Sequence, residues 1–320
     1  MGLSVARRRL GRWLGARSKR QRPPKVGYLY PGPETLATAR IDSILKGVRE
    51  SGYAAPAQIE IVLRNTEGDP TRIAPLAAEI VQAKVDVVFA IGREVLEAFR
   101  STTSTVPIVA MDLESDPVGS GMVVSVTHPG GNITGVFFDF PSFTAKWLEL
   151  LREINPKLSR VAVLWDSGSG VTLVNAIEKA ATPLGIQIEI LEVRKQSDFA
   201  DAFASASERS AGALLMLSSP LISTNGQMLA ELSIRHGLPA VTLIPDFARA
   251  GGLLAYGPNL LDMYRQSGVM MGKVLKGAKP ADLPIERPTN FQLVLNLKTA
   301  KALGIPIPTS VLLRADEVIE

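Results

Sequence analysis

The sequence predicts an α/β protein built as two lobes of parallel sheet joined by a hinge, and three observations carry that reading. Short apolar, β-rich runs alternate with amphipathic helical patterns along nearly the whole chain. The alternation breaks once, over residues 112–141 (DLESDPVGSGMVVSVTHPGGNITGVFFDFP), and resumes in the same form on the far side. At 320 residues the chain is also long for a single core. The break holds an Asp116-Pro117 turn, β-type runs at 122–126 and 133–138, and a tight Pro-Gly-Gly-Asn turn at 129–132. A break between two similar halves reads as a hinge. Sheets of this kind bind at the carboxyl ends of their strands, so a ligand is expected between the lobes.

The elements follow in order. Residues 25–30 (KVGYLY) form a first strand ending at Pro31-Gly32-Pro33. Ile41, Ile44, Leu45 and Val48 repeat at helical spacing, and Gly52 stops that helix. Residues 58–63 are a second strand. Asp69 then caps a helix with Pro70 at its first position and Ile73, Leu76, Ile80 and Val81 inward. Residues 85–91 (VDVVFAI) are nearly continuous in apolar character, as a strand buried on both faces requires. A helix over 93–100 and a strand over 106–111, reaching Asp112, complete the first lobe.

Beyond the break, helix and strand alternate again. Helices are expected at 143–154, from 171 to about 184, at 199–208 and at 225–236, and strands at 161–165, 186–193, 213–217 and 240–244. Residues 251–256 (GGLLAY) read as a return crossing, and a helix over 260–276 presents Leu261, Tyr264, Gly268, Met271 and Leu275 on one face. The Pro-rich stretch 280–288 is a further crossing. A strand at 291–297 and a short helix at 298–303 follow.

Composition narrows the function. There is no cysteine, which excludes disulfides, thiolate metal sites and cysteine nucleophiles. No run of about 18 apolar residues could span a bilayer. The formal charge of +4 is concentrated at one end: residues 1–24 hold eight arginines and lysines and no acid. Setting those eight aside leaves 27 basic against 31 acidic residues, so the folded body has no basic excess with which to hold nucleic acid. The leader has the positive start of an export signal, but Arg17, Lys19, Arg20 and Arg22 interrupt the apolar segment such a signal needs. It reads as a basic, disordered segment.

The sequence has no G-x-G-x-x-G after a strand, no P-loop and no nucleophile elbow, so neither a nucleotide cofactor nor covalent catalysis has support. The two histidines do not suffice for a metal cluster; His236 reads as a helix-end residue and His128 as a solvent-facing turn residue. No catalytic, metal or cofactor residue is therefore assigned, and the chain is not read as an enzyme. What remains is a set of polar loops at strand carboxyl ends. The first lobe offers Pro31, Gly32, Gly92, Arg93, Glu94, Asp112 and Asp116; the second offers Asp166, Ser167, Ser218, Ser219 and Asp246. Each alone is an ordinary helix cap, but together they face one cleft where helix N-termini suit a carboxylate. Asp139 and Tyr256, in the stretches that cross between lobes, complete the candidate set.

These residues lie within a longer resemblance. DPVGSGMVVSVTHPGGNITG (116–135), KWLELLREINPKLSRVAVLWD (146–166), GGLLAYGPNLLDMYRQ (251–266) and VLKGAKPADLPIERPTNFQLVLNLKTAKALGI (274–305) resemble ABC transporter substrate-binding proteins of the tryptophan/aromatic amino acid-binding type. The similarity runs from about residue 25 to the end. It implies a type I periplasmic binding fold: two Rossmann-like lobes, residues 25–138 with 257–285 and residues 139–256 with 286–320, joined by a three-segment hinge near 137–141, 255–258 and 283–288. It implies a monomeric receptor that closes on a small polar solute, an amino acid or aromatic acid, and delivers it in the periplasm to a permease and an ATPase made by other chains. In many members the loop here reading IGREV (91–95) is Gly-Thr-Pro followed by alanines. Arg93 in that place would itself receive an anion and favour an acid over a zwitterion. A cytosolic ligand-sensing regulator on the same fold is the alternative expectation, with no room for a DNA-binding head in the 24 residues before the first strand.

Overall fold

The computed structural model describes residues 22–32, 37–54, 58–113, 116–169 and 171–320. Residues 1–21 of the basic leader, and residues 114–115 of the break, lie outside the described residues.

The first lobe is a five-stranded sheet in the order β2-β1-β3-β4-β5, parallel throughout: β1 (Lys25–Tyr30), β2 (Glu60–Asn65), β3 (Val87–Ile91), β4 (Ile108–Asp112) and β5 (Ile133–Phe137). Three helices connect them, α1 (Ala37–Glu50), α2 (Ile73–Gln82) and α3 (Gly92–Thr102). The near-continuous apolar reading of β3 is explained by its place at the centre, where Val87, Val88, Phe89 and Ala90 are all fully buried. One face of the sheet packs on α2 and α3 through Leu29, Ala90, Ile80, Leu96 and Phe99. The other packs Tyr28, Tyr30 and Phe89 under α1 and a helix that arrives from far along the chain.

The β-type run expected at 122–126 is not a strand. The amides of Met122 and Val123 both donate to Pro117 O, and that of Val124 to Pro129 O, so turns absorb the bonds a sheet would need. Met122 and Val123 are buried on the first lobe's core and Val126 packs partly against it, while Val124 between them is exposed.

The second lobe is a seven-stranded sheet in the order β12-β11-β10-β9-β8-β6-β7. After α4 (Phe140–Ile154) come β6 (Arg160–Asp166), α5 (Thr172–Ala181), β7 (Gln187–Val193), α6 (Phe199–Glu208), β8 (Ala213–Met216), α7 (Pro220–Thr224), α8 (Gly226–Arg235), β9 (Ala240–Thr242), α9 (Asp246–Arg249) and β10 (Leu254–Pro258). The chain then sends α10 (Leu260–Leu275) back to the first lobe, where Tyr264, Met271 and Leu275 join the core against α1. It returns through residues 283–290 to β11 (Phe291–Asn296), α11 (Leu297–Ala302), α12 (Thr309–Leu312) and β12 (Glu317–Ile319). The pairing of β10 with β11 is antiparallel, the one such pair in the two sheets. Leu261, expected on the inner face of α10, is half exposed instead; Met263 occupies the interior in its place.

Three strands of chain therefore cross between the lobes: β5 to α4, β10 to α10, and residues 283–290 into β11. An aromatic cluster fastens them. Phe138 of the first crossing lies 5.1 Å from Phe143, which stacks on Phe291 at 5.2 Å and tilts against Tyr256 at 4.9 Å. The indole of Trp147 donates to Tyr256 O at 2.7 Å. The last crossing also runs along the open edge of β5: Phe137 N donates to Glu286 O, Glu286 N to Gly135 O, and Thr134 Oγ1 to Leu283 O. An edge that would otherwise invite another chain is thus covered.

Candidate functional site

Parallel strands end together, so the loops after β1–β5 form a rim on one lobe and those after β6, β8 and β9 a rim on the other. The first rim is rigid at its outer end. Thr66 Oγ1 and Gly68 N both donate to Pro31 O, and Glu67 takes a left-handed conformation to make that turn. Pro31 and Gly32 are half-buried, with the Tyr30 ring lying over Gly32 so closely that a β-carbon there would meet its hydroxyl. Gly92 opens α3 at φ +73°, a conformation an L side chain resists, and no side chain crowds it. Its neighbour Arg93 is paired with Glu97 one turn along, Nε to Oε1 at 2.8 Å, and Glu94 points to solvent. Asp112 is fully buried at the end of β4. Asp116 accepts the amides of Val118 and Gly119 and holds its own turn. Asp139 is exposed just ahead of α4.

On the second rim, Asp166 accepts the amide of Gly168, and Ser167 takes a hydrogen bond from Arg194 Nε at 3.2 Å. Arg194 and Ser167 both donate to Glu192, holding that carboxyl below its usual range. Ser218 and Ser219 are buried, and Ser219 caps α7 by accepting Ile222 N at 3.1 Å. Asp246 is largely exposed and pairs with Arg249, which also grips Glu317. Tyr256 is half-buried in the aromatic cluster, and that burial raises its phenol pKa. Pro31, Gly32 and Gly92 thus lie at strand ends of the first lobe, and Ser218 and Ser219 at a strand end of the second. Asp116, Asp166 and Asp246 spend their carboxylates on local turns and ion pairs. Two shallow hollows elsewhere, against α5 and over the amino ends of β6 and β7, open broadly to solvent away from this region.

The residues that sequence reading did not single out are Tyr30, Arg40 and Asn65. Arg40 sits in the first turns of α1 on its inner face, with its guanidinium 4.6 Å from the centre of the Tyr30 ring and 5.7 Å from that of Tyr264. Cation–π contact of this kind is worth about 0.5–2 kcal/mol. Among the described residues the guanidinium has no acidic partner, and its Nη1 is buried without a hydrogen bond. Asn65 stands opposite Tyr30 in the parallel register, so the two side chains share a face. Its Oδ1 accepts Glu67 N at 2.6 Å, which fixes the amide orientation and leaves Nδ2 as a second buried donor without an acceptor. A buried donor left without an acceptor costs about 1–3 kcal/mol. Below them, burial drives the Tyr28 and Tyr264 phenols upward and keeps both neutral. A signal for this cluster was present only indirectly, in an arginine on the apolar stripe of α1.

No helix among the described residues is long and apolar enough to cross a membrane. The tyrosine-binding protein of Clostridioides difficile is 24% identical over 290 residues, covering 90% of this chain and 82% of that protein. The ABC domain from Streptococcus pneumoniae in complex with L-Trp superposes with a TM-score of 0.83 at 27% identity, covering 92% of this chain and 99% of that one. A conserved domain protein of Vibrio cholerae shares the fold at a TM-score of 0.84 and 24% identity, covering 93% and 100%. The profile of the ABC transporter substrate binding proteins matches residues 34–319. With two parallel-sheet lobes and this match over nearly its full length, the chain belongs to the ABC transporter substrate binding protein family.

Proposed function

We propose that the chain is the solute receptor of an ABC importer, capturing an amino acid or aromatic acid between its lobes by hinge closure. The observation that carries this reading is the family match combined with the similarity to a domain that holds L-Trp. The tyrosine-binding relative points to the same solute class. Residues 25–138 with 257–285 form one moving body and residues 139–256 with 286–320 the other. The ligand draws its contacts from both rims only in the closed state, so binding shifts the population towards closure. The receptor works as a monomer in the periplasm and hands its solute to permease and ATPase subunits on other chains. It performs no chemistry on the solute.

A thermal-shift screen of the full chain against aromatic and aliphatic amino acids, aromatic acids, sugars and polyamines tests the proposal. A solute at 100 times its dissociation constant stabilises by about 2.7 kcal/mol, on the order of 5–10 °C for a protein of this kind. One amino acid or aromatic acid class should give that shift and be recovered unchanged. A shift with sugars or polyamines alone would overturn the solute class, and turnover of any compound would overturn the receptor.

A further inference from the structure

We infer that Arg40 and Asn65 form an anion-receiving subsite on the first rim, which takes a carboxylate of the solute on the guanidinium that Tyr30 supports. The inference deepens the receptor reading and rests on it for the place where solute enters. Three features of one small region lead to it.

The first is an excess of donors. The Arg40 guanidinium makes no ion pair and no hydrogen bond among the described residues; Nη1 is buried, while the residue as a whole is only partly so. A guanidinium is charged at every accessible pH, so burial cannot relieve it by loss of a proton. The Asn65 amide adds a donor whose orientation is fixed by its bond to Glu67. The second feature is support. The Tyr30 and Tyr264 rings hold the guanidinium from beneath, and Thr66 and Gly68 lock the adjoining turn onto Pro31. A planar fork held over an aromatic ring offers parallel N–H donors, the arrangement a carboxylate accepts.

The third is position. α1 follows β1, so its first turns stand at the carboxyl end of the sheet, on the cleft rim. Asn65 ends β2 beside it. Arg93, the anion site expected from sequence, has already given its Nε to Glu97. Among the described residues, Arg40 is a guanidinium on this rim with donor capacity unused. A carboxylate, with two coplanar oxygens, matches one guanidinium edge and one amide. A neutral amide of the same shape would present N–H to N–H and be rejected.

The test uses the full chain labelled at arginine with carbon-13 and nitrogen-15, and acetate as the smallest carboxylate. The Arg40 Nε–H resonance, identified by its loss in Arg40→Gln, should move saturably with acetate and stay still with acetamide. Arg40→Gln should also weaken binding of the carboxylate solutes found in the screen by about 30-fold, while leaving their carboxamide analogues unchanged. Arg40→Lys, which keeps the charge on a stem of similar reach, should fall between, and is the second variant if Arg40→Gln melts early. An Arg40 resonance indifferent to acetate would overturn the subsite even if amino acids bind. Movement with acetate alongside a silent amino acid screen would uphold the subsite and overturn the proposed solute class. Equal binding of acids and carboxamides would again remove the subsite and leave the receptor.

Discussion

At Ser219 the hydroxyl accepts the Ile222 amide at 3.1 Å while the residue itself is 2% exposed, so it is both cap and rim. Ser219→Ala should cost about 1 kcal/mol of stability, read as a lowered midpoint in urea with an unchanged slope. Arg93 is the opposite case. Its pair with Glu97 is an exposed i,i+4 contact, so Arg93→Ala should move stability by no more than about 0.5 kcal/mol. Measured beside Arg40→Gln, it separates a guanidinium that is already satisfied from one that is not. Sequence alone favoured Arg93 because it stands at a strand end in the IGREV loop. A partner one helical turn away was in plain view as Glu97, but whether it would be used depended on rotamers.

Elements show where packing sets limits. α1 and α10 touch through glycines: a β-carbon on Gly268 would fall 2.1 Å from Ile44 O, and one on Gly47 1.8 Å from Arg265 O. The backbones approach so closely that no side-chain movement can make room. Gly268→Leu should therefore destabilise by about 3 kcal/mol or unfold the first lobe, visible as an early melting transition. The crossing cluster is equally tight, and Phe143→Ala should cost about 3–5 kcal/mol, measured by urea unfolding. On the second lobe, α4 and α12 are clasped by Glu153, which accepts from Ser310 and Arg314. Those bonds hold its carboxyl below the ordinary value of 4.5. The folded state then binds fewer protons than the unfolded, so the clasp is complete above that value and lost as pH falls through the lowered one. Glu153→Gln should flatten the acid limb of the stability profile, with little change at neutral pH beyond the loss of the pair.

At the scale of the whole molecule, three crossings bound by one aromatic cluster join the lobes, and the proposed closure would turn them about that join. Saturating solute should reduce the radius of gyration in X-ray scattering, and Arg40→Gln at the same concentration should leave the open value. The two-lobe alternation, the strands and the long helices were legible from the chain because burial imposes a period of its own: continuous apolar runs for strands covered on both faces, a stripe for helices covered on one. The helix over residues 199–208 was readable to the residue, and Asp69 with Pro70 announced the turn into α2. Tertiary structure alone decided that α10 returns to the first lobe, that Met122 to Val126 gives its amides to turns, and that β10 and β11 run antiparallel. These outcomes depend on contacts between residues far apart in the chain, which carry no local period. The same reason separates the two arginines: spacing places a charge near a rim, but only the folded neighbourhood determines whether that charge has found its partner or still awaits one.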